Sequence, residues 1–195
     1  MEQNSSAAGK KIVFTGGGTA GHVTPNIALI HQLLSEGWQV HYIGSETGIE
    51  KELIGAIEGV RYHAIATGKL RRYFSWQNFV DPFRVVKGWF QARRLIREIQ
   101  PDVVFSKGGF VSVPVVLGAG KAPVVAHESD FSPGLSNRIA SHFTDKVCVS
   151  FEDTLVCVPH GKGVFTGSPI RPALYEGSRE RALEFTGFSG EKPVL

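Results

Sequence analysis

The chemistry this chain can do is concentrated in four short loops, and the first of them ends on a histidine. Residues 16–22 read Gly-Gly-Gly-Thr-Ala-Gly-His, and Gly16, Gly18 and Gly21 match the G-x-G-x-x-G spacing. They follow an apolar run and precede a helical pattern. Glycines there let backbone amides approach an anion, and the start of a helix favours negative charge. His22 stands at the helix entrance. As a neutral imidazole it could take a proton from an attacking hydroxyl, and the positive end of the helix helps keep it neutral. The plainer readings are a tight turn for the glycines and a backbone cap for His22. A nicotinamide site would want an acid at the end of the second strand, and Glu46 comes late for that.

The second loop, residues 106–114, reads Ser-Lys-Gly-Gly-Phe-Val-Ser-Val-Pro. It too follows a strand-like run and opens an apparent helix. Two such loops on one sheet fit two anion contacts, or one diphosphate seen from two sides, which singles out Gly17, Gly18, Gly108 and Gly109. The third loop, 127–134, is His-Glu-Ser-Asp-Phe-Ser-Pro-Gly, and the fourth, 167–171, is Gly-Ser-Pro-Ile-Arg. His127 and Glu128 form an alternative acid/base pair, although a structural hydrogen-bonding role suits Glu128 equally. Each loop alone could be an ordinary turn. Four of them at strand ends would meet on one rim.

A basic segment has a different logic. Residues 68–97 hold eight Lys or Arg against one acid, Asp81, in a chain whose net charge is only +3. Such a block points to phosphates, on a nucleic acid or at a membrane surface. With about 100° per residue over 82–99, Val85, Trp89, Ala92, Ile96 and Ile99 form a core stripe. Phe83, Val86 and Phe90 fall on another face, with Lys87, Arg93, Arg94 and Arg97 around them. Upstream, Tyr73, Phe74, Trp76 and Phe79 follow Lys69, Arg71 and Arg72. Aromatics mixed with cations suit the headgroup region of an anionic bilayer. The alternatives are a second packing face and single-stranded nucleic acid held by stacking; nucleic acid is not expected.

The elements that must carry these loops alternate. Strands are expected at 11–15, 40–43, 62–65, 103–106, 124–127, 147–149 and 164–166. Helices are expected from a Thr24 cap with Pro25 at the first position to Gly37, around 49–57, over 82–99 with Asp81 as cap, over 132–141 and over 179–185, and a helix or apolar turn over 111–118. That alternation predicts an α/β fold, a Rossmann-like parallel sheet with flanking helices. Ligands in such folds sit beyond the carboxyl ends of the strands. A hydrophobic share of 42% and a charged share of 20% allow a packed core. No apolar run approaches the ~18 residues of a membrane span, and the polar start has no secretory h-region. Cys148 and Cys157 read as buried free thiols. Residues 192–195 open an apolar strand at the very end, so the chain is expected to be a fragment: a loose tail at 1–10, a Rossmann-like domain at 11–172, and a linker with the start of a further domain at 173–195.

Residues 16–26, Gly-Gly-Gly-Thr-Ala-Gly-His-Val-Thr-Pro-Asn, closely resemble the opening loop of the MurG family of glycosyltransferases. Those enzymes move N-acetylglucosamine from its UDP donor to lipid I, the undecaprenyl-diphosphate-linked muramyl pentapeptide, giving lipid II in peptidoglycan synthesis. The runs at 108–114, 127–130 and 167–171 match as well, and the likeness covers almost all of 11–195. It implies the N-terminal, acceptor half of a two-domain GT-B fold, inverting chemistry without metal or other cofactor, and a place on the cytoplasmic face of the bacterial membrane. By position it assigns donor contacts to Thr19, Ala20, Gly21, Asp130 and Arg171, and makes His22 the candidate base or a donor contact. The residues themselves add Gly17, Gly18, Gly108 and Gly109 for the acceptor diphosphate, Glu128 as the second catalytic candidate, and Phe83, Lys87, Phe90 and Arg94 as membrane contacts. The second domain's glycine motif and nucleotide-binding acid have no counterpart in these residues. A diphosphate-binding module without activity, and the acceptor subunit of a split transferase, remain open beside the enzyme.

Overall fold

The computed structural model describes residues 9–68 and 77–189, with side chains from 82 onward in the second stretch. The basic and aromatic run at 69–76, the first eight residues and the apolar end at 192–195 lie outside the described residues.

Seven strands, β1 (Lys11–Thr15), β2 (Gln39–Ser45), β3 (Val60–Ile65), β4 (Val103–Ser106), β5 (Val124–Glu128), β6 (Lys146–Val149) and β7 (Gly163–Phe165), form one sheet in the order β3-β2-β1-β4-β5-β6-β7. Every pairing is parallel. Strand sequences such as Lys-Ile-Val-Phe-Thr explain this: they are apolar on both sides of the pleat, as a sheet covered on both faces requires. Ile12, Phe14, Val40 and Tyr42 pack with Val23, Ile30 and Ile54 on one face. Val13, Ile43 and Val104 pack with Ala92, Ile96, Val115 and Ala140 on the other. The first face is covered by α1 (Ala20–Ser35) and α2 (Ile49–Gly55), the second by α3 (Gln77–Ile99), α4 (Ser112–Gly118) and α5 (Leu135–Ala140); α6 (Arg179–Thr186) follows the sheet.

This order places the switch point between β1 and β4. The chain leaves β1 toward one face and β4 toward the other, so a crevice opens beyond their carboxyl ends. The register Thr15 opposite Ser106 brings Gly16 and Lys107 side by side at its floor.

Three expectations are corrected. Helix α1 starts at Ala20 with Thr19 as its N-cap, so Pro25 lies inside it and Thr24 is not the cap. Pro25 has no N–H to give to the Gly21 carbonyl, and the Thr24 hydroxyl instead donates back to the Ala20 carbonyl at 3.0 Å. Helix α3 likewise begins at Gln77, ahead of Asp81, with Pro82 inside. Both prolines lie in the second turn, where each removes one i→i−4 hydrogen bond, so they mark the neighbourhood of a start and not its position. Cys148 and Cys157 are free thiols as expected, but Cys157 is exposed and Cys148 only half-buried. Cys157 ends a 3-10 turn, Glu152–Cys157, that lies outside the strands.

Candidate active site

The glycine loops meet backbone to backbone. Gly109 has φ +85°, and a Cβ there would run into the Gly17 carbonyl. At Gly17 a Cβ would meet the Glu50 carboxylate. These glycines serve close approach between loops as much as approach to a ligand.

Beneath the first loop lies a buried polar network. Tyr42 Oη donates to the Gly16 carbonyl at 2.7 Å, and Asn26 Nδ2 donates to Tyr42 Oη at 3.1 Å. The Glu50 carboxylate, fully buried, accepts from Ser45 N, Ser45 Oγ and Gly18 N at 3.1, 2.5 and 3.3 Å. The Gly18 amide is therefore directed at Glu50, and the Gly109 amide donates to Ser136 Oγ at 3.1 Å. Two of the four glycines expected to greet a diphosphate already have their amides engaged. Loop rigidity, not a row of free amides, is what these contacts produce.

His22 sits in the first turn of α1, half-buried, with Nδ1 3.0 Å from Thr19 Oγ1. Burial, and next the Lys107 charge, hold its imidazole below the ordinary value, while Glu128 and Asp130 pull the other way. The three loops are packed together: a Cβ on Gly109 would meet the Gly17 carbonyl, and Lys107 of the second loop donates to Ser129 Oγ of the third at 2.7 Å. Ala20 and Gly21 are exposed on the same turn.

Glu128 ends β5, buried, and its oxygens accept from Asp130 N at 2.9 Å, Gly134 N at 3.1 Å and Asn137 Nδ2 at 2.9 Å. The carboxylate thus folds the third loop around itself and leaves the Asp130 side chain on the outside, exposed. His127 Nε2 donates to the Gly167 carbonyl at 2.9 Å, which ties the third loop to the fourth. Burial above all keeps the His127 ring below its ordinary value. Arg171 lies exposed beyond that junction, at the start of a short 3-10 turn, and makes no side-chain hydrogen bond among the described residues. Sequence spacing singled out none of Glu50, Asn137, Asn26 or Tyr42 for this site. Lys107 showed only as a member of the second loop, although a lysine between an apolar strand and two glycines was a usable signal.

The predicted surface patch lies on α3. On α3, Ala92, Ile96 and Ile99 are buried, and Trp89 is half-buried with its indole N–H on the Leu117 carbonyl at 3.1 Å. Phe83 and Phe90 are 78% and 60% exposed, with Val86 beside them. Lys87 is exposed; Arg94 is bound through Nε to Glu98 at 2.7 Å, and Arg93 lies over the Trp89 ring. No described helix is long and apolar enough to cross a membrane.

The family model for the glycosyltransferase family 28 N-terminal domain matches residues 12–149, from the second residue of β1 to the end of β6, with the first three loops. The chain belongs to glycosyltransferase family 28. This family 28 chain is 56% identical over 188 residues to a Geobacillus thermodenitrificans protein and 54% identical over 188 residues to one from Clostridium tetani. Both are named as UDP-N-acetylglucosamine–N-acetylmuramyl-(pentapeptide) pyrophosphoryl-undecaprenol N-acetylglucosamine transferase. Those matches take in 95% of this chain but 53% and 52% of the two relatives. The chain thus spans about half the length of the curated relatives it matches. Among solved structures, the crystal structure of MurG from Acinetobacter baumannii superposes with a TM-score of 0.69 at 29% identity, covering 83% of this chain and 46% of that one. A UDP-N-acetylglucosamine 2-epimerase from Methanocaldococcus jannaschii, 13% identical at a TM-score of 0.59, shares the fold alone.

Proposed function

We propose that this chain is the acceptor-side half of an inverting, metal-independent transferase that moves N-acetylglucosamine from UDP-N-acetylglucosamine to the muramyl sugar of lipid I. The observation that carries this reading is the convergence of His22 and the loops after β1, β4 and β5 at the switch point, in a chain 56% identical to a protein named for that reaction. A muramyl hydroxyl attacks the anomeric carbon, the new glycosidic bond forms as the bond to the diphosphate breaks, and UDP leaves. His22 takes the hydroxyl proton. If Nδ1–H donates to Thr19 Oγ1, the Nε2 lone pair faces the acceptor, and burial keeps it free of a proton near neutrality.

Thr19, Ala20, Gly21, Asp130 and Arg171 contact the donor in this reading. Gly17, Gly18, Gly108 and Gly109 shape the wall against the acceptor diphosphate. Glu128 acts by holding the loop of Asp130, because its oxygens are committed to three N–H donors. Residues 11–172 form the acceptor unit and 173–195 lead to the donor-binding unit. The α3 face with Phe83, Lys87, Phe90 and Arg94 rests on the anionic cytoplasmic leaflet, where the lipid acceptor is.

The test joins this chain to the second half of the Geobacillus thermodenitrificans relative. Transfer of labelled N-acetylglucosamine to a soluble lipid I analogue is then followed, with and without chelator. The joined protein should transfer the sugar with inversion and resist chelation, and the 195-residue chain alone should not. A folded but inactive joined protein, or equal turnover by the chain alone, would contradict the reading.

A further inference from the structure

Apart from its field on His22, Lys107 has no task in the chemistry above, yet it is the most deeply placed cation of the site. It is 1% exposed. Its backbone amide donates to the Thr15 carbonyl at 2.9 Å, which fixes it at the end of β4. A Cβ on Gly16 would lie 3.1 Å from its own Cβ, so its stem passes against the first glycine loop. Its Nζ reaches across to the third loop and donates to Ser129 Oγ at 2.7 Å. Among the described residues no carboxylate lies within ion-pair distance of it. Glu128 and Asp130 are near enough to act on it electrostatically, but the Glu128 oxygens are spent on the loop amides and Asn137, and the Asp130 side chain is exposed and makes no ion pair with it.

Lysine is almost never buried this fully unless it is paired. What surrounds its end is a run of hydroxyls. Ser129 Oγ lies 3.5 Å from Ser168 Oγ, and Ser150 Oγ donates to Ser168 Oγ at 3.2 Å. The row starts in the core under β4 and emerges at the rim above β6 and β7, where Ser168 is exposed. Ser129 spends a lone pair on the ammonium, and the 3.5 Å separation leaves its own proton only weakly held. A hydroxyl that accepts from a cation becomes a stronger donor outward. An ammonium that donates to the first of three linked hydroxyls, with neither neighbouring carboxylate in ion-pair contact with it, suits an anion at the outer end of the row.

We propose that Lys107 is a positioning residue for the diphosphate handled at this rim: its ammonium supplies the missing counter-charge through Ser129, whose hydroxyl donates to a phosphate oxygen. The diphosphate belongs either to the nucleotide or to the lipid carrier, and the chemistry of recognition is the same. The proposal rests on the transferase reading.

The experiment uses the 195-residue chain, with inorganic pyrophosphate as probe and calorimetric titration and thermal melting as readouts. Wild type should bind pyrophosphate and melt higher in its presence. Lys107→Met should weaken that binding roughly tenfold or more, the loss expected for a charge-assisted hydrogen bond. In anion-free buffer its melting point should equal or exceed that of wild type, because an unpaired buried charge is replaced by an apolar chain of similar length. A purely structural lysine would give the reverse: a lower melting point and unchanged pyrophosphate binding. Ser129→Ala should weaken binding too, and adding it to Lys107→Met should cost little more, since the two act as one unit. Should Lys107→Met not fold, the nitrogen resonance of the Lys107 ammonium in wild type decides: it must shift on adding pyrophosphate. UDP and a short-chain prenyl diphosphate, run side by side, tell the sources apart, and a Lys107-dependent loss with either supports the assignment. Wild type that ignores pyrophosphate, or Lys107→Met that binds it as wild type does, overturns the assignment. Neither result touches sugar transfer by the joined protein, which stands or falls on its own assay.

Discussion

At the residue scale the site depends on what burial does to charge. His22 is useful as a base only while neutral, and burial together with the Lys107 ammonium lowers its proton affinity. The acid side of the rate profile in the joined protein should therefore fall below the ordinary imidazole value of 6.5, not at it. His22→Ala should reduce turnover by roughly 10²-fold or more, the usual worth of a positioned base, with melting nearly unchanged. A well-folded variant at wild-type turnover would leave His22 as a mere partner of Thr19. The sequence displayed His22 because it closes a recognisable glycine loop. It could not display Glu50 as the buried floor of that loop, since that depends on α2 bringing residue 50 back beneath residues 17 and 18. Nor could spacing reveal that the Gly18 and Gly109 amides would be claimed by Glu50 and Ser136, because both partners come from distant turns of the chain.

At the scale of elements, α3 and the β2–β3 pair make opposite uses of polarity. Helix α3 buries Ala92, Ile96 and Ile99 and turns Phe83 and Phe90 outward, as the periodicity of 82–99 indicated. The helix start did not follow from the same residues, because Pro82 reads as a first helical residue and so masked the earlier beginning at Gln77. Each basic residue near an anionic surface contributes about 1 kcal/mol. Part of the Arg94 share is cancelled by Glu98, so removing Lys87 and Arg94 together should weaken vesicle binding by roughly tenfold. High salt should weaken it as well. Phe83→Ser with Phe90→Ser should reduce binding even at low salt while leaving the fold intact, because both rings are exposed. Cosedimentation with anionic and neutral vesicles checks this; equal binding to both, or unfolding of the Phe variant, would place the face inside a protein contact.

On β2 and β3, His41 Nδ1 and His63 Nε2 lie 2.9 Å apart with the rings stacked. Burial first, then His63, Arg61 and Lys11, push His41 down to about 4. Its folded value thus lies below the unfolded one, so its contribution to stability is complete above about pH 6.5 and is lost as pH falls from there toward 4. His63 is lowered too, with Glu98 opposing, and adds in the same direction. The melting temperature should drop through that window, and His41→Gln should flatten the drop. An unchanged slope in the variant would remove the pair as its cause.

At the scale of the whole molecule, the sheet order made the site. Alternating strand and helix signals were enough to expect a parallel sheet with its loops on one rim. They were not enough to fix which loops are neighbours, because order is a matter of crossovers: β1 lies beside β4, and only this puts Lys107 against Gly16. The chain spans about half the length of the curated relatives it matches.

The two thiols carry a practical consequence. Burial raises the Cys148 thiol and so suppresses its thiolate, while Cys157 stands in solvent. A maleimide dye would therefore attach at one position without any engineered substitution. That position closes the 3-10 turn in which Thr154 Oγ1 holds the Phe131 carbonyl at 3.0 Å, one residue past Asp130. A fluorophore there is wired to the third loop, and its emission should report the arrival of a nucleotide or of a partnering half in real time.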